Sequence, residues 1–451
     1  MITKALKFII QPWRARNHQY TSRQLGALLV ICLVWIIILA ADNNASRATI
    51  GFLQITTVLI YPVLVVGIVR ILHEHPQNSG LKFPFERLLT GAPLLGLLGC
   101  LLIASQSSSY LNPRAKIQDD ITASIICASQ NVLHGRDPYT TGEIACLHSL
   151  GTSPLRGTVL QRGPLLHQTT YPSAAQIERL AALALHHPKY NQAFATFGYL
   201  PMSYVWMLPV AGFNHTAWVA YTLLGAVILL VILGVGAGEL WPAVLLLMLL
   251  QFGTGGVVGA ATQGDGEVFT YGVAILALAF IDRPRLSGVL LGIGMAAHPL
   301  LWAVGLGYLV FARTLPRFRE RVLWLAGTTI ILIVPWLIVE PHAINSIIGL
   351  ILQPNFPSGI GVITLLGPSP ALIWRHISLA MLVLGYGGLC LFLWRRRDWL
   401  PILPVVALAF MWLSWRSDVS YLAQVFPFAL AMIIGLHRLR KLADTSVAVV
   451  N

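Results

Sequence analysis

Residues 215–236 read HTAWVAYTLLGAVILLVILGVG, 22 positions without one Asp, Glu, Lys or Arg. At a rise of about 1.5 Å per residue this run is about 33 Å long as a helix, and the hydrocarbon core it would cross is about 30 Å thick. Lipid offers no partner to a backbone N–H or C=O, so a spanning segment must satisfy its own. The run therefore predicts a transmembrane helix. Working outward, similar apolar blocks precede it at Gln24–Ala41, Ile50–Arg70 and Leu88–Ser105. Others follow at Leu240–Gly255, Glu267–Ile281, Ser287–Ala312 and Leu323–Val339, then Trp374–Trp394, Trp399–Trp415 and Val419–Leu436. The fold class expected is an all-α polytopic membrane protein with about 11–13 spans. Composition agrees: 56% of the 451 residues are hydrophobic and 10% charged, with mean hydropathy +0.72. A soluble domain carries about a quarter charged residues. A soluble enzyme, a secreted disulfide scaffold and a disordered tail are excluded.

Charge sets the expected orientation. The first 23 residues hold Lys4, Lys7, Arg14, Arg16 and Arg23 and no acid. They read as a cytoplasmic arm, too long and basic to be a cleaved signal. Short basic connections at Arg70–Arg87, Asp282–Arg285, Arg313–Arg321, Arg395–Asp398 and His437–Lys441 belong on the cytoplasmic side as well. Ser287–Ala312 has basic loops at both ends, which one crossing cannot accommodate. His298-Pro299 divides it, so it reads as a hairpin of two short helices. Thr196–Phe213, interrupted by Pro201 and Pro209, reads as a partly inserted outer segment. Residues 106–195 then form a large first extracytoplasmic loop, and 340–373 a second. The outer side carries 10 Lys+Arg and 10 Asp+Glu, so the whole net charge of +13 falls on the cytoplasmic side. The basic pI of 9.8 is thus a matter of membrane orientation and does not call for a nucleic-acid partner.

The first loop carries the acids of interest. Asp119-Asp120 precedes Ile121–Leu133, where Ile121, Ile125, Ala128 and Val132 share one stripe. That stripe suits a helix lying on the membrane face, ended by Gly135 and Asp137-Pro138-Tyr139. Asp120 can be a helix N-cap, and Asp137-Pro138 a simple turn. Alternatively, a carboxylate at this place can act as general base for an acceptor hydroxyl while a phosphate leaves. Arg114, Lys116, Arg136, Arg156, Arg162, Arg179 and Lys189 are candidate phosphate contacts.

The string Asp120-Ile-Thr-Ala-Ser-Ile-Ile-Cys-Ala-Ser-Gln-Asn-Val-Leu-His-Gly135-Arg-Asp-Pro-Tyr139 resembles the first-loop signature of GT-C membrane glycosyltransferases. It is most similar to the bacterial polyprenyl-phosphate-mannose-dependent branch, which includes phosphatidylinositol-mannoside mannosyltransferases. Tyr199-Leu-Pro201 through Pro209, Gln263-Gly-Asp265-Gly-Glu267, Gly288-Val-Leu-Leu-Gly292 and Ser414-Trp415-Arg416-Ser-Asp418 resemble later motifs of that branch, in order. Tyr171-Pro172 is an alternative match for the first of these. The resemblance implies a GT-C-like unit over 88–436, with 1–87 as a cytoplasmic arm and two added helices, and 437–451 as a cytoplasmic tail. It implies Asp120, or Asp119, as catalytic base and His342 as a second catalytic or donor-contacting residue. Arg114, Lys116, Arg136, Tyr139, Asp265, Glu267 and Arg416 would contact donor phosphate or sugar. A basic residue common in the family's hairpin is replaced here by His298.

The expected function is an inverting transfer of a sugar, mannose by resemblance, from a polyprenyl-phosphate donor to a glycolipid or cell-envelope glycan. The site would face outward from the plasma membrane. No cofactor is expected: Asp119-Asp120 can be drawn around Mg²⁺, but the branch resembles metal-independent transferases. His134, His148, His167, His186 and His187 show no zinc spacing. Gly253–Gly264 lacks the Lys-Ser/Thr of a phosphate loop. The alternative is a lipid or sugar transporter, which predicts internal repeats and polar midplane helices; neither is visible. A non-catalytic assembly subunit is a third reading. Cys127 and Cys146 both fall in the outer loop, an oxidising place, where a disulfide and two free thiols are both open.

Overall fold

The computed structural model describes residues 24, 27–28, 30–32, 34–35, 47–73, 120–152, 173–187, 197–238, 241–250, 256–344, 347, 358–359, 361–362, 372–414, 416–417 and 419–448. Within them the protein is all-α apart from one two-residue strand pair. The helices are α1 (Arg47–His73), α2 (Asp120–Leu133), α3 (Ile144–Ser149), α4 (Ala174–His186), α5 (Met202–Val205), α6 (His215–Ala237) and α7 (Trp241–Leu250). Then come α8 (Val257–Thr262), α9 (Glu267–Ala279), α10 (Pro284–Ala297), α11 (Leu300–Ala312) and α12 (Phe318–Val339). The chain ends with α13 (Leu372–Leu393), α14 (Leu403–Ala409), α15 (Val419–Ala423) and α16 (Val425–Ala448). Strand β1 (Ser358–Gly359) pairs in parallel with β2 (Arg416–Ser417). The expected span Leu88–Ser105 lies outside the described residues.

Among the described residues three helices, His215–Ala237, Phe318–Val339 and Tyr421–Leu442, are long and apolar enough to cross a membrane. Six shorter apolar helices accompany them, including α9, α10 and α11. Their outward faces are apolar: Val235 is 80% exposed, Ile338 75% and Leu391 76%. In water such continuous apolar surface marks a contact with something else, and in hydrocarbon it carries no penalty.

Side-chain contacts give each helix a direction. The Ser287 hydroxyl donates to Ala277 O at 2.7 Å, so α9 and α10 run antiparallel. Ser287 and Tyr308 hydroxyls meet at 2.8 Å, so α11 returns along α10. Helix α12 then runs parallel to α10, since Gly288 lies against Arg321 and Gly292 against Leu325 and Thr328. The break at His298-Pro299 is therefore the turn of a helical hairpin. Pro299 starts α11 without cost, because the first turn of a helix has no N–H to lose.

The α10–α12 approach depends on glycine. A Cβ at Gly288 would lie 2.8 Å from Arg321 O, and one at Gly292 2.7 Å from Leu325 O. Small residues four apart let two backbones touch, which is how helices associate where lipid removes the hydrophobic drive.

The helix ends sort into two groups. At one end Arg438 grips Asp282 through two nitrogens, each at 2.8 Å, donates to Gly236 O at 3.2 Å and lies 4.7 Å from the Phe280 ring. Arg285 and Arg317 meet Glu320 there, and Arg313 covers the Trp394 ring. His73, at the end of α1, stacks on Trp399. This basic end gathers the described parts of the connections expected together on one side. At the opposite end lie α2, the Tyr199–Phe213 segment, the start of α9, the hairpin turn and the end of α12.

Two expectations need correcting. Helix α2 does not lie on a surface with one stripe inward, because Ile121 through Ser129 are all buried. Its polar side is satisfied internally: Ser124 donates to Glu143 Oε2 at 2.7 Å, and Ser129 to Ile125 O at 2.7 Å and Tyr204 O at 2.9 Å. Trp399–Trp415 is also not one continuous α-helix. It consists of a 3₁₀ helix Arg397–Ile402, α14 and a second 3₁₀ turn Phe410–Leu413. Pro401 and Pro404 remove backbone donors there and tighten the winding.

Candidate functional site

Local sequence explains why polar groups collect at the end opposite the arginines. Gly264, at φ +82°, turns the chain out of α8, and Asp265 Oδ1 accepts from Glu267 N at 2.8 Å to start α9. Glu267 thus lies in the first turn of α9, only 3% exposed. Across from it, His298 closes the hairpin. Its Nδ1 accepts from Leu300 N at 3.1 Å, so that nitrogen carries no proton and the ring hydrogen sits on Nε2. Nε2 faces Glu267 Oε1 at 3.8 Å, too far for a direct hydrogen bond. Tyr199, Tyr271 and Tyr421 surround the imidazole with ring centroids at 5.6, 5.8 and 6.0 Å. The Tyr271 hydroxyl is fully buried and has no hydrogen-bond partner among the described residues.

A second acid stands at the end of α12. Glu340 caps the C-terminus of α12, accepts from the Tyr204 hydroxyl at 3.4 Å and is 8% exposed. Burial, and then the charge of Asp137, push its carboxyl up to about 7, with the Tyr204 bond opposing them. Gly292 stands level with Thr328, so His298 is level with about residue 334, and Glu340 stands about 9 Å further along α12. The site is a buried polar cluster: Glu267, His298 and Glu340 are 3%, 7% and 8% exposed.

Aromatic rings join the two levels. Tyr139 is 2% exposed and donates to Tyr199 O at 2.8 Å. Its ring meets Phe197 at 5.6 Å and Tyr204 at 6.4 Å edge-on, and Tyr204 meets Trp336 at 5.7 Å. Burial and the neighbouring acids raise the Tyr139 phenol well above its ordinary value, so it stays a neutral donor. The turn before it is the expected one: Asp137 Oδ1 accepts from Tyr139 N at 2.8 Å. The described part of the Thr196–Phe213 segment, 197–213, forms only the short α5 and successive turns, and wraps this aromatic cluster.

Helix α2 packs beside the start of α9, with Met207. Ile125 lies 3.7 Å from where a Cβ on Gly266 would be. A disulfide, Cys127–Cys146, with Cα atoms 5.9 Å apart, ties α2 to α3. Asp120 is the first residue of α2. Asp119, Arg114 and Lys116, and the side chains of Asp120 and Arg416, lie outside the described residues. The backbone of Arg416 is held beside Ser358. Arg136 and His342 are exposed, His342 two residues beyond Glu340.

The structure brings together Tyr139, Asp265 and Glu267 from the sequence-based set. It adds His298, Glu340, Tyr199, Tyr204, Tyr271 and Tyr421. The signals for these were a His-Pro break in an apolar run and an acid ending an apolar helix. Chemically, the cluster holds carboxylates suited to hydroxyl groups, a neutral imidazole N–H and aromatic faces. No group of three or more His, Cys, Asp and Glu able to hold a metal occurs among the described residues. No protein-family description, curated protein or solved structure matches the chain.

Proposed function

We propose that the protein is an inverting, GT-C-like membrane glycosyltransferase that moves a sugar from a polyprenyl-phosphate donor to a hydroxyl of a glycolipid or envelope glycan. In this reading about 11–13 helices span the plasma membrane, the basic end with both termini is cytoplasmic, and the polar cluster lies at the outer end. The observation that carries the proposal is the position of α2. The helix opening with Asp120 is pinned by a disulfide and packs against Gly266, the residue before Glu267. In this reading an acid at its start serves the polar, ring-lined cluster beside which the helix packs.

The proposed chemistry needs few groups. Asp120, or Asp119, removes the acceptor proton as its oxygen attacks the anomeric carbon, and the C–O bond to the lipid phosphate breaks. Arg114, Lys116, Arg136 and Arg416, with His342, stabilise the leaving phosphate. Asp265, Glu267 and the His298 N–H hold sugar hydroxyls, and Tyr199 or Tyr421 offers a ring face. No metal or other cofactor has a role in the scheme.

The test uses purified full-length protein, radiolabelled polyprenyl-phosphate-mannose and a lipid extract. Replacing the base, by Asp120→Ala or Asp119→Ala, should lower transfer about 10²–10⁴-fold. Unchanged transfer in both variants removes the assigned base. No transfer by the wild type from any polyprenyl-phosphate sugar overturns the function.

A further inference from the structure

A groove of about 630 Å³ lies on the flank of the bundle, between α1, α13 and the Arg397–Leu413 segment. That volume is within the roughly 300–1,000 Å³ of small-molecule sites. Its walls are almost wholly apolar, and Arg396 is its one charged lining residue. Along α1 the lining runs from Tyr61 to Val69. That is about 12 Å of helix, close to the depth of one leaflet of a ~30 Å hydrocarbon core. It is open to the side: lining residues Val66 and Phe392 are 54% and 71% exposed.

The groove has polarity. Arg396 and Trp399 line it at the basic end, where Trp399 stacks on His73. Arg395, Arg396 and Arg397 are all exposed there, beside a single acid, Asp398. A tryptophan with an arginine at the end of an apolar channel marks a headgroup boundary. The other end, by Tyr61, Trp412 and Leu413, has no charged lining residue. A ligand matching this has one anionic head and a hydrocarbon tail about one leaflet long. The charged end lies opposite the polar cluster of Glu267 and Glu340, so the head cannot be that of a lipid reacting there.

We propose that this groove binds an anionic membrane phospholipid of the leaflet at the basic end, with its phosphate on Arg396 and an acyl chain along Val66 and Phe392. Binding there couples α1 to the 3₁₀ segment and α14.

The probe is phosphatidylglycerol against phosphatidylcholine of identical chains, added to the full-length protein in mild detergent and read by native mass spectrometry. One phosphatidylglycerol should stay bound in preference to phosphatidylcholine. One arginine at a lipid headgroup is worth about a fivefold effect, so Arg396→Gln should lower phosphatidylglycerol retention by about fivefold. Val66→Trp, at an exposed position where folding tolerates bulk, should fill the groove and release both lipids. Arg319→Gln, on the same basic end outside the groove, should change nothing. Equal retention of the two lipids overturns the proposal. So does wild-type retention by Arg396→Gln or Val66→Trp, or a loss with Arg319→Gln equal to that with Arg396→Gln.

Discussion

Glu340 shows how a single position can carry two messages. In sequence it ends an apolar run and reads as the first polar residue of a loop. In the fold it is buried against Tyr204 with Asp137 nearby, and its carboxyl titrates near 7 where the ordinary value is 4.5. The folded protein therefore binds a proton between those two values that the unfolded chain releases. The sign follows: this contribution to stability is complete below about pH 4.5 and is lost as pH rises through about 7. Glu340→Gln abolishes the titration. The melting-temperature difference between wild type and variant should move in the variant's favour as pH rises from 4.5 to 7.5, measured by fluorescence in detergent. A difference independent of pH would show that Glu340 titrates normally. His298 is the counterpart within the buried cluster, and its Nδ1 bond to Leu300 N fixes which ring nitrogen holds the proton.

At the scale of elements, two devices hold the site's walls. The disulfide closes a loop between positions 19 apart. Loop-closure entropy makes such a link worth about 3 kcal/mol, felt mainly in the unfolded chain. Cys127→Ser with Cys146→Ser should lower the midpoint of thermal unfolding by the equivalent amount, and reductant should do the same to the wild type only. The second device is the glycine contact between α10 and α12. Gly292→Val puts a branched side chain where a Cβ alone would sit 2.7 Å from Leu325 O. Overpacking of this kind costs about 1–3 kcal/mol. The helices should part, so we expect a lower melting temperature and a displaced Glu340 relative to His298. An unchanged melting temperature would show that α12 shifts freely. These elements were partly legible. The His298-Pro299 break and the end of α2 at Gly135 follow from local residue chemistry. The burial of α2 on all sides does not, because Ser124 and Ser129 look like a solvent face until Glu143 and Tyr204 come to meet them.

At the scale of the molecule, the two ends can be tested directly. Cys32 and Cys390, outside the disulfide, are buried, so with Cys100 replaced by Ser a membrane-impermeant maleimide should leave the protein largely unlabelled. Arg317→Cys at the basic end should label only from the cytoplasmic side, and Thr140→Cys only from outside. Labelling of both from one side would contradict the orientation. Sequence by itself determined the helical class, the apolar faces and the clustering of arginines. These follow from solvent physics acting residue by residue: hydrocarbon demands self-satisfied backbone, and charge avoids it. Only the tertiary structure decided which polar groups are buried at one end, because Glu267, His298 and Glu340 are brought there by helix direction. An antiparallel hairpin followed by a parallel helix returns three distant positions to one end, and no local pattern encodes that return.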